Sequence, residues 1–123
     1  MKVGIGSNRF SSVEAMDEQG AGGAHHEYLV ASEPQSSIEA EQPRKEFARV
    51  SFQNGPIQEN GINGCHQEDL LAIVLHRLQC FQQGDYACRE NALAITKLEE
   101  AMHWLNHRTA GRQARGVEGT SAK

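Results

Sequence analysis

Ala94-Ile95-Thr96-Lys97-Leu98-Glu99-Glu100-Ala101-Met102-His103-Trp104-Leu105 is the centre of a longer run, residues 87–112, that decides the fold. The run holds no proline, and no glycine before Gly111. Ala94/Ile95, Leu98, Ala101/Met102 and Leu105 recur every three or four residues, the period of one α-helical stripe. Extended both ways, the stripe reaches Asn91 at one end and Arg108 and Arg112 at the other. Polar groups that continue an apolar stripe face either an interface or pocket, or solvent at a frayed helix end, and spacing alone leaves both readings open.

Working outward, Glu68 to Phe81 reads as a first helix with Leu70/Leu71, Val74 and Leu78 on its apolar face. His66 and Asp69 occupy cap positions, although histidine caps poorly. Gln82-Gln83-Gly84-Asp85 is a turn, with Gly84 suited to a helix C-terminus. Two helices so joined form an antiparallel hairpin. Their expected lengths, about 15 and 24 residues, leave roughly 12 Å of the second helix overhanging at 1.5 Å per residue. Met102, Trp104 and Leu105 lie at or near that overhang. A second copy of the chain is the expected cover, which makes a homo-oligomer the structural expectation.

Upstream, residues 1–7 read as loose. Arg9–Met16 and His26–Val30 read as strands around the turn Asp17-Glu18-Gln19-Gly20-Ala21-Gly22-Gly23, giving a hairpin over about 9–31. Ser32–Lys45 is polar and reads as an exposed loop. Residues 47–52 alternate as a half-buried strand should. Asn54 to Gly64 holds three glycines and a proline and reads as a strand-to-helix connector, with a ligand-touching loop as the second reading. The fold class is therefore α+β, a small N-terminal antiparallel sheet followed by a C-terminal helical hairpin. Its divisions fall at 1–64, 65–115 and a tail at 116–123.

Twelve Lys and Arg against 16 Asp and Glu leave a net charge of −4, so bulk nucleic-acid binding is not expected. Residues 103–115 nevertheless contain no acid while carrying Arg108, Arg112 and Arg115. That is a candidate anion site, or else ordinary complementation of a helix C-terminus by cations. Three cysteines, Cys65, Cys80 and Cys88, without CxxC spacing point to a reducing compartment and no zinc ribbon. No apolar run reaches membrane-spanning length and no signal-peptide core opens the chain, so a cytoplasmic protein without a membrane partner is expected.

Two other classes compete on the residues alone. His103 and His107 stand four apart, and Glu100-x-x-His103 has di-iron spacing. Trp104, however, occupies the place where a helical zinc motif needs glutamate, and the first helix has no matching Glu-x-x-His. No metal site and no cofactor are therefore expected. Cys88 has no histidine placed as its base, and no nucleophile-base-orienter set is present, so no catalytic residue is assigned. The other competitor is a protein-protein interaction module acting through the exposed second helix.

Several segments carry a family resemblance: Phe52-Gln53-Asn54-Gly55-Pro56-Ile57, Glu59-Asn60-Gly61-Ile62-Asn63-Gly64, Glu68-Asp69-Leu70-Leu71-Ala72-Ile73-Val74, Arg77-Leu78, Cys88-Arg89-Glu90-Asn91-Ala92, Leu98-Glu99-Glu100-Ala101, Trp104-Leu105 and residues 108–119. Together, over about residues 47–119, the chain resembles the phage Thoeris anti-defence proteins, which share a helical-hairpin domain with the anti-CBASS cyclic-nucleotide sponges. The resemblance implies a homo-oligomer, built from dimers and reaching a hexamer in some members. Such proteins sequester cyclic ADP-ribose isomers, and in some members cyclic di- or trinucleotides, in the host cell cytoplasm without cleaving them. By position it assigns ligand binding to Phe81 and Asn91 on one side and to Arg108 and Arg112 on the other. Cys65 and His66 depart from the family pattern, where a small apolar residue and a threonine are expected. The chemistry suits these roles, since paired guanidiniums match a pyrophosphate, a phenyl ring stacks on a base and an amide reads a base edge or ribose. A sponge needs affinity near nanomolar, about −12 kcal/mol.

Overall fold

The computed structural model describes residues 1–6 and 9–123, which divide into two compact units, Met1–Cys65 and His66–Lys123. In the first unit three strands, β1 (Ser11–Ala15), β2 (Glu27–Ser32) and β3 (Glu46–Ser51), form an antiparallel sheet in the order β1-β2-β3. The expected N-terminal hairpin and third strand are both present. Val13 stands opposite Val30, and Tyr28 opposite Val50. Leu29, Ala31 and Ala15 are the buried apolar residues among those described.

The expectation of a loose N-terminus needs correction. Val3 donates its N–H to Val13 at 2.9 Å and Met1 accepts from Ala15 at 2.9 Å, so this segment covers the outer edge of β1. A covered edge is closed to further strand pairing. Ser7, also expected to be loose, lies outside the described residues. The polar loop after β2 is exposed, as its composition implies, but contains one helical turn, α1 (Ser37–Ala40), capped by Ser36 Oγ accepting from Glu39 N–H at 3.1 Å.

The turn between β1 and β2 is organised by one carboxylate. Asp17 accepts the backbone N–H groups of His26 (2.9 Å) and Glu27 (3.2 Å), while buried His26 donates from Nε2 to the Ala21 carbonyl at 3.1 Å. The connector after β3 contains α2 (Ile57–Asn60), a single helical turn. Asn63 clasps Asn54 twice, each bond 2.8 Å, and Gln53 Nε2 donates to the carbonyls of Gly55 and Gly61. Gly64 cannot carry a side chain, because a Cβ would come within 2.6 Å of the Ser51 carbonyl oxygen.

In the second unit α3 (Gln67–Gln82) and α4 (Arg89–Ala114) pack as a hairpin. The Asp69 carboxylate accepts the His66 N–H at 2.9 Å, which fixes the start of α3. Its inward face differs from expectation. Leu71, Leu75 and Leu78 are half-buried, whereas Val74 is exposed, because the i, i+4, i+7 stripe selects Leu75. Gly84 supplies no left-handed cap either, since the residue after the Gln83 cap is not among the glycines with positive φ.

Desolvation raises the Asp17 carboxyl pKa, but the His26, Glu27 and own backbone N–H groups and the nearby His25 outweigh it, so the net shift is downward from 3.8. Such a group contributes stability above its unfolded value, and that contribution is lost as pH falls through the lower folded value. Thermal melts of wild type and Asp17→Asn should therefore differ most above pH 4 and converge in stronger acid.

Candidate functional site

The turn joining α3 to α4 is closed by a side chain. Gln82 accepts the Cys88 N–H at its Oε1 (2.9 Å) and donates from Nε2 to the Cys88 carbonyl (3.1 Å). Phe81 lies on the last turn of α3 and Asn91 on the first turn of α4, so this clasp brings them to one end of the hairpin. Asn91 Nδ2 donates to the Tyr86 carbonyl at 3.3 Å. The Arg77 guanidinium lies 5.2 Å from the Phe81 ring centre, and the Tyr86 ring meets Phe81 edge-on at 6.5 Å. Phe81, Asn91, Arg77 and Tyr86 thus combine two aromatic rings, a cation and an amide.

Arg108 and Arg112 stand at the opposite end of α4. Seventeen residues separate Asn91 from Arg108, about 25 Å along a helix. Within one chain the four sequence-assigned residues therefore fall into two separate groups rather than one pocket. The two arginines share a face but not a state. Arg108 makes no ion pair among the described residues. Arg112 donates from Nη1 to the Ala122 carbonyl (2.8 Å) and from Nη2 to those of Val117 (3.0 Å) and Thr120 (3.1 Å). The tail turns back toward it through Gly116, whose φ of 72° favours glycine, while Val117 N–H bonds the Arg112 carbonyl at 3.0 Å.

Between these ends the outer face of α4 carries Trp104, 65% exposed, with the rings of His103 and His107 at 5.3 and 5.7 Å. Among the described residues no group of three or more His, Cys, Asp or Glu side chains is placed to hold a metal ion. No helix among the described residues is long and apolar enough to cross a membrane.

Comparison with known proteins agrees with the helical architecture. The family model described as "Acb2/Tad1, hairpin domain" matches residues 44–110. The chain belongs to this family. A relative named Thoeris anti-defense 1, from Bacillus phage SBSphiJ7, is 61% identical over 77 residues, covering 63% of this chain and 54% of the relative. The chain thus spans about half the length of the curated relative it matches. The matched span contains Phe81, Asn91 and Arg108, whereas Arg112 lies just beyond it.

Sequence reasoning missed Arg77 and Tyr86. Arg77 had a signal, since four residues place it on the same helical face as Phe81. Tyr86 had none, because its position depends on how the Gln82–Cys88 clasp shapes the turn. The carbonyls around Arg112 were equally invisible, being backbone groups. With net bonds of about 1 kcal/mol each, losing them should free the tail. Arg112→Ala should speed tryptic cleavage after Arg115 at least fivefold, with Arg112→Lys in between; unchanged cleavage would mean that the guanidinium does not hold the tail.

Proposed function

We propose that this is a phage anti-defence protein that binds a nucleotide immune signal in the host cell cytoplasm and holds it without cleaving it. The signal class is a cyclic ADP-ribose isomer, with cyclic di- or trinucleotides as further ligands. One observation carries the reading. Within a family-matched hairpin, Phe81, Tyr86 and Asn91 sit at one end of α4, and Arg108 and Arg112 at the other. Bases recognise the first set and phosphates the second.

The separation of the half-sites dictates the assembly in this reading. A molecule of cyclic ADP-ribose is far shorter than about 25 Å, so Asn91 and Arg108 can touch one ligand only if they come from different chains. An antiparallel two-fold pairing of the α4 helices would join them and form two equivalent sites per dimer. The surface is consistent with such pairing. Ile73, Val74, Leu93 and Trp104 are all exposed, and neither helix contains a buried residue among those described. Arg108 supplies donors at once, whereas Arg112 must exchange its tail carbonyls for phosphate oxygens. Cofactors have no part in this mechanism, and no residue is assigned a catalytic role.

Exposed Trp104 also favours a second reading, an interaction module that docks a protein helix on α4. The two readings differ in what a small-molecule titration finds.

Incubating cyclic ADP-ribose with excess protein should deplete the free ligand, and heat denaturation should return it unchanged. Recovery of linear ADP-ribose would make the protein an enzyme, and undiminished free ligand would favour the interaction module.

The shared site has its own test. Asn91→Ala and Arg108→Ala should each abolish tight binding. Refolded as an equal mixture, they form mixed dimers with one doubly damaged and one intact site, restoring about a quarter of all sites. No recovery despite subunit exchange, or light scattering near the chain mass of 13.5 kDa, would overturn the dimeric site.

A further inference from the structure

We infer that Tyr86 is the second wall of a slot that takes one planar heteroaromatic ring against Phe81, which makes it a specificity-determining residue for purine-bearing ligands. This rests on the nucleotide-binding reading above and deepens it. The argument begins with the two faces of the Phe81 ring. The Arg77 guanidinium, 5.2 Å from the ring centre, takes one of them as a cation–π partner. A base must therefore use the other face, and what stands near that ring decides which ligands fit.

The nearby ring is Tyr86. Its centre lies 6.5 Å from that of Phe81, and the two planes meet at 78°. Edge-to-face pairing is a favourable resting contact for two aromatic rings. If the planes become parallel at the same separation, the gap is almost two stacking distances of about 3.4 Å, the rise between stacked bases. The slot then admits one flat ring, not two and not a puckered sugar. Insertion replaces one weak ring–ring contact with two full stacking contacts.

Tyr86 is built for that motion. Its side chain is 77% exposed, so turning the ring displaces no packed neighbour. Its backbone is anchored, because its carbonyl accepts from Asn91 Nδ2 and the surrounding turn is closed by the Gln82–Cys88 clasp. The same contact places Asn91 beside the slot, where its amide can exchange the Tyr86 carbonyl for a polar atom on the edge of the inserted base.

Titrating the 123-residue chain with cyclic ADP-ribose tests this. Tyr86→Ala should weaken binding roughly tenfold, within the range for loss of one base–aromatic stack. Tyr86→Phe should stay within about twofold of wild type. The ligand's absorbance near 260 nm should fall on binding to wild type and Tyr86→Phe, and fall less on binding to Tyr86→Ala. Equal affinity in Tyr86→Ala and wild type would overturn the second wall and leave the nucleotide reading standing. Tyr86→Phe as weak as Tyr86→Ala would assign the effect to the hydroxyl and overturn stacking. No binding by wild type would overturn the nucleotide reading and the slot together.

Discussion

Burial of the α4 stripe is the constraint on which the helical unit depends. Ile95, Leu98, Met102 and Leu105 recur with helical period, yet each is only half-buried. Helix α3 has 16 residues and α4 has 26, so about 15 Å of α4 has no counterpart on its partner. The hydrophobic effect scales with the area removed from water, and half-burial secures only part of what these side chains can contribute. Exposed Ile73 and Val74 on α3 and Leu93 and Trp104 on α4 add apolar surface that two helices cannot cover between them. The length of α4 that leaves this surface uncovered also separates Asn91 from Arg108, so the proposed dimer and the proposed shared site rest on one unequal pair of helices.

A different economy holds the sheet unit together. Its buried apolar residues are small or few, and polar groups carry much of the order. Arg44 donates to Glu14 Oε1 (2.6 Å), Ser12 Oγ (2.5 Å) and the Ser32 carbonyl (3.1 Å), and Lys2 pairs with Glu33 at 2.9 Å. Exposed ion pairs of this kind add little stability singly. Their value here is positional, since they tie the segment after β2 back to β1 and β2. The Gln53–Asn54–Asn63 clasps do the same for the connector, where Gly55 and Gly61 take φ of 82° and 73°.

Periodicity in the sequence carried much of this. The α4 stripe lies in local spacing, which fixes helix faces, whereas the alternation in residues 47–52 announced a strand but not its burial: only Val50 and Phe52 there are half-buried, and Phe47 is 60% exposed. What escaped was tertiary. On α3, Val74 and Leu75 are adjacent and both apolar, so composition could not choose between them, and packing against α4 turned Leu75 inward. Lys2 and Val3 resemble any short polar-apolar segment until the edge of β1 is there to receive them. Phe81, Asn91 and Arg108 were assigned through family resemblance alone, and they lie within the matched span. Arg77 and Tyr86 became visible only when the Gln82 clasp had set the turn.

The two arginines show why residue type alone does not define a receptor. On one face of one helix, Arg108 and Arg112 present identical guanidiniums, and spacing treats them alike. The tail separates them. A guanidinium already donating to three carbonyls gains from a phosphate only the difference between two hydrogen-bonded states, whereas one facing water exchanges solvent for a charged acceptor. Arg108 therefore offers the larger increment of binding per residue in the proposed site. Arg112 makes any increment conditional on moving residues 117–122. In the proposed sponge that division would have a use: Arg108 would meet the phosphate first, and Arg112 would join only as its carbonyl bonds to residues 117–122 were exchanged.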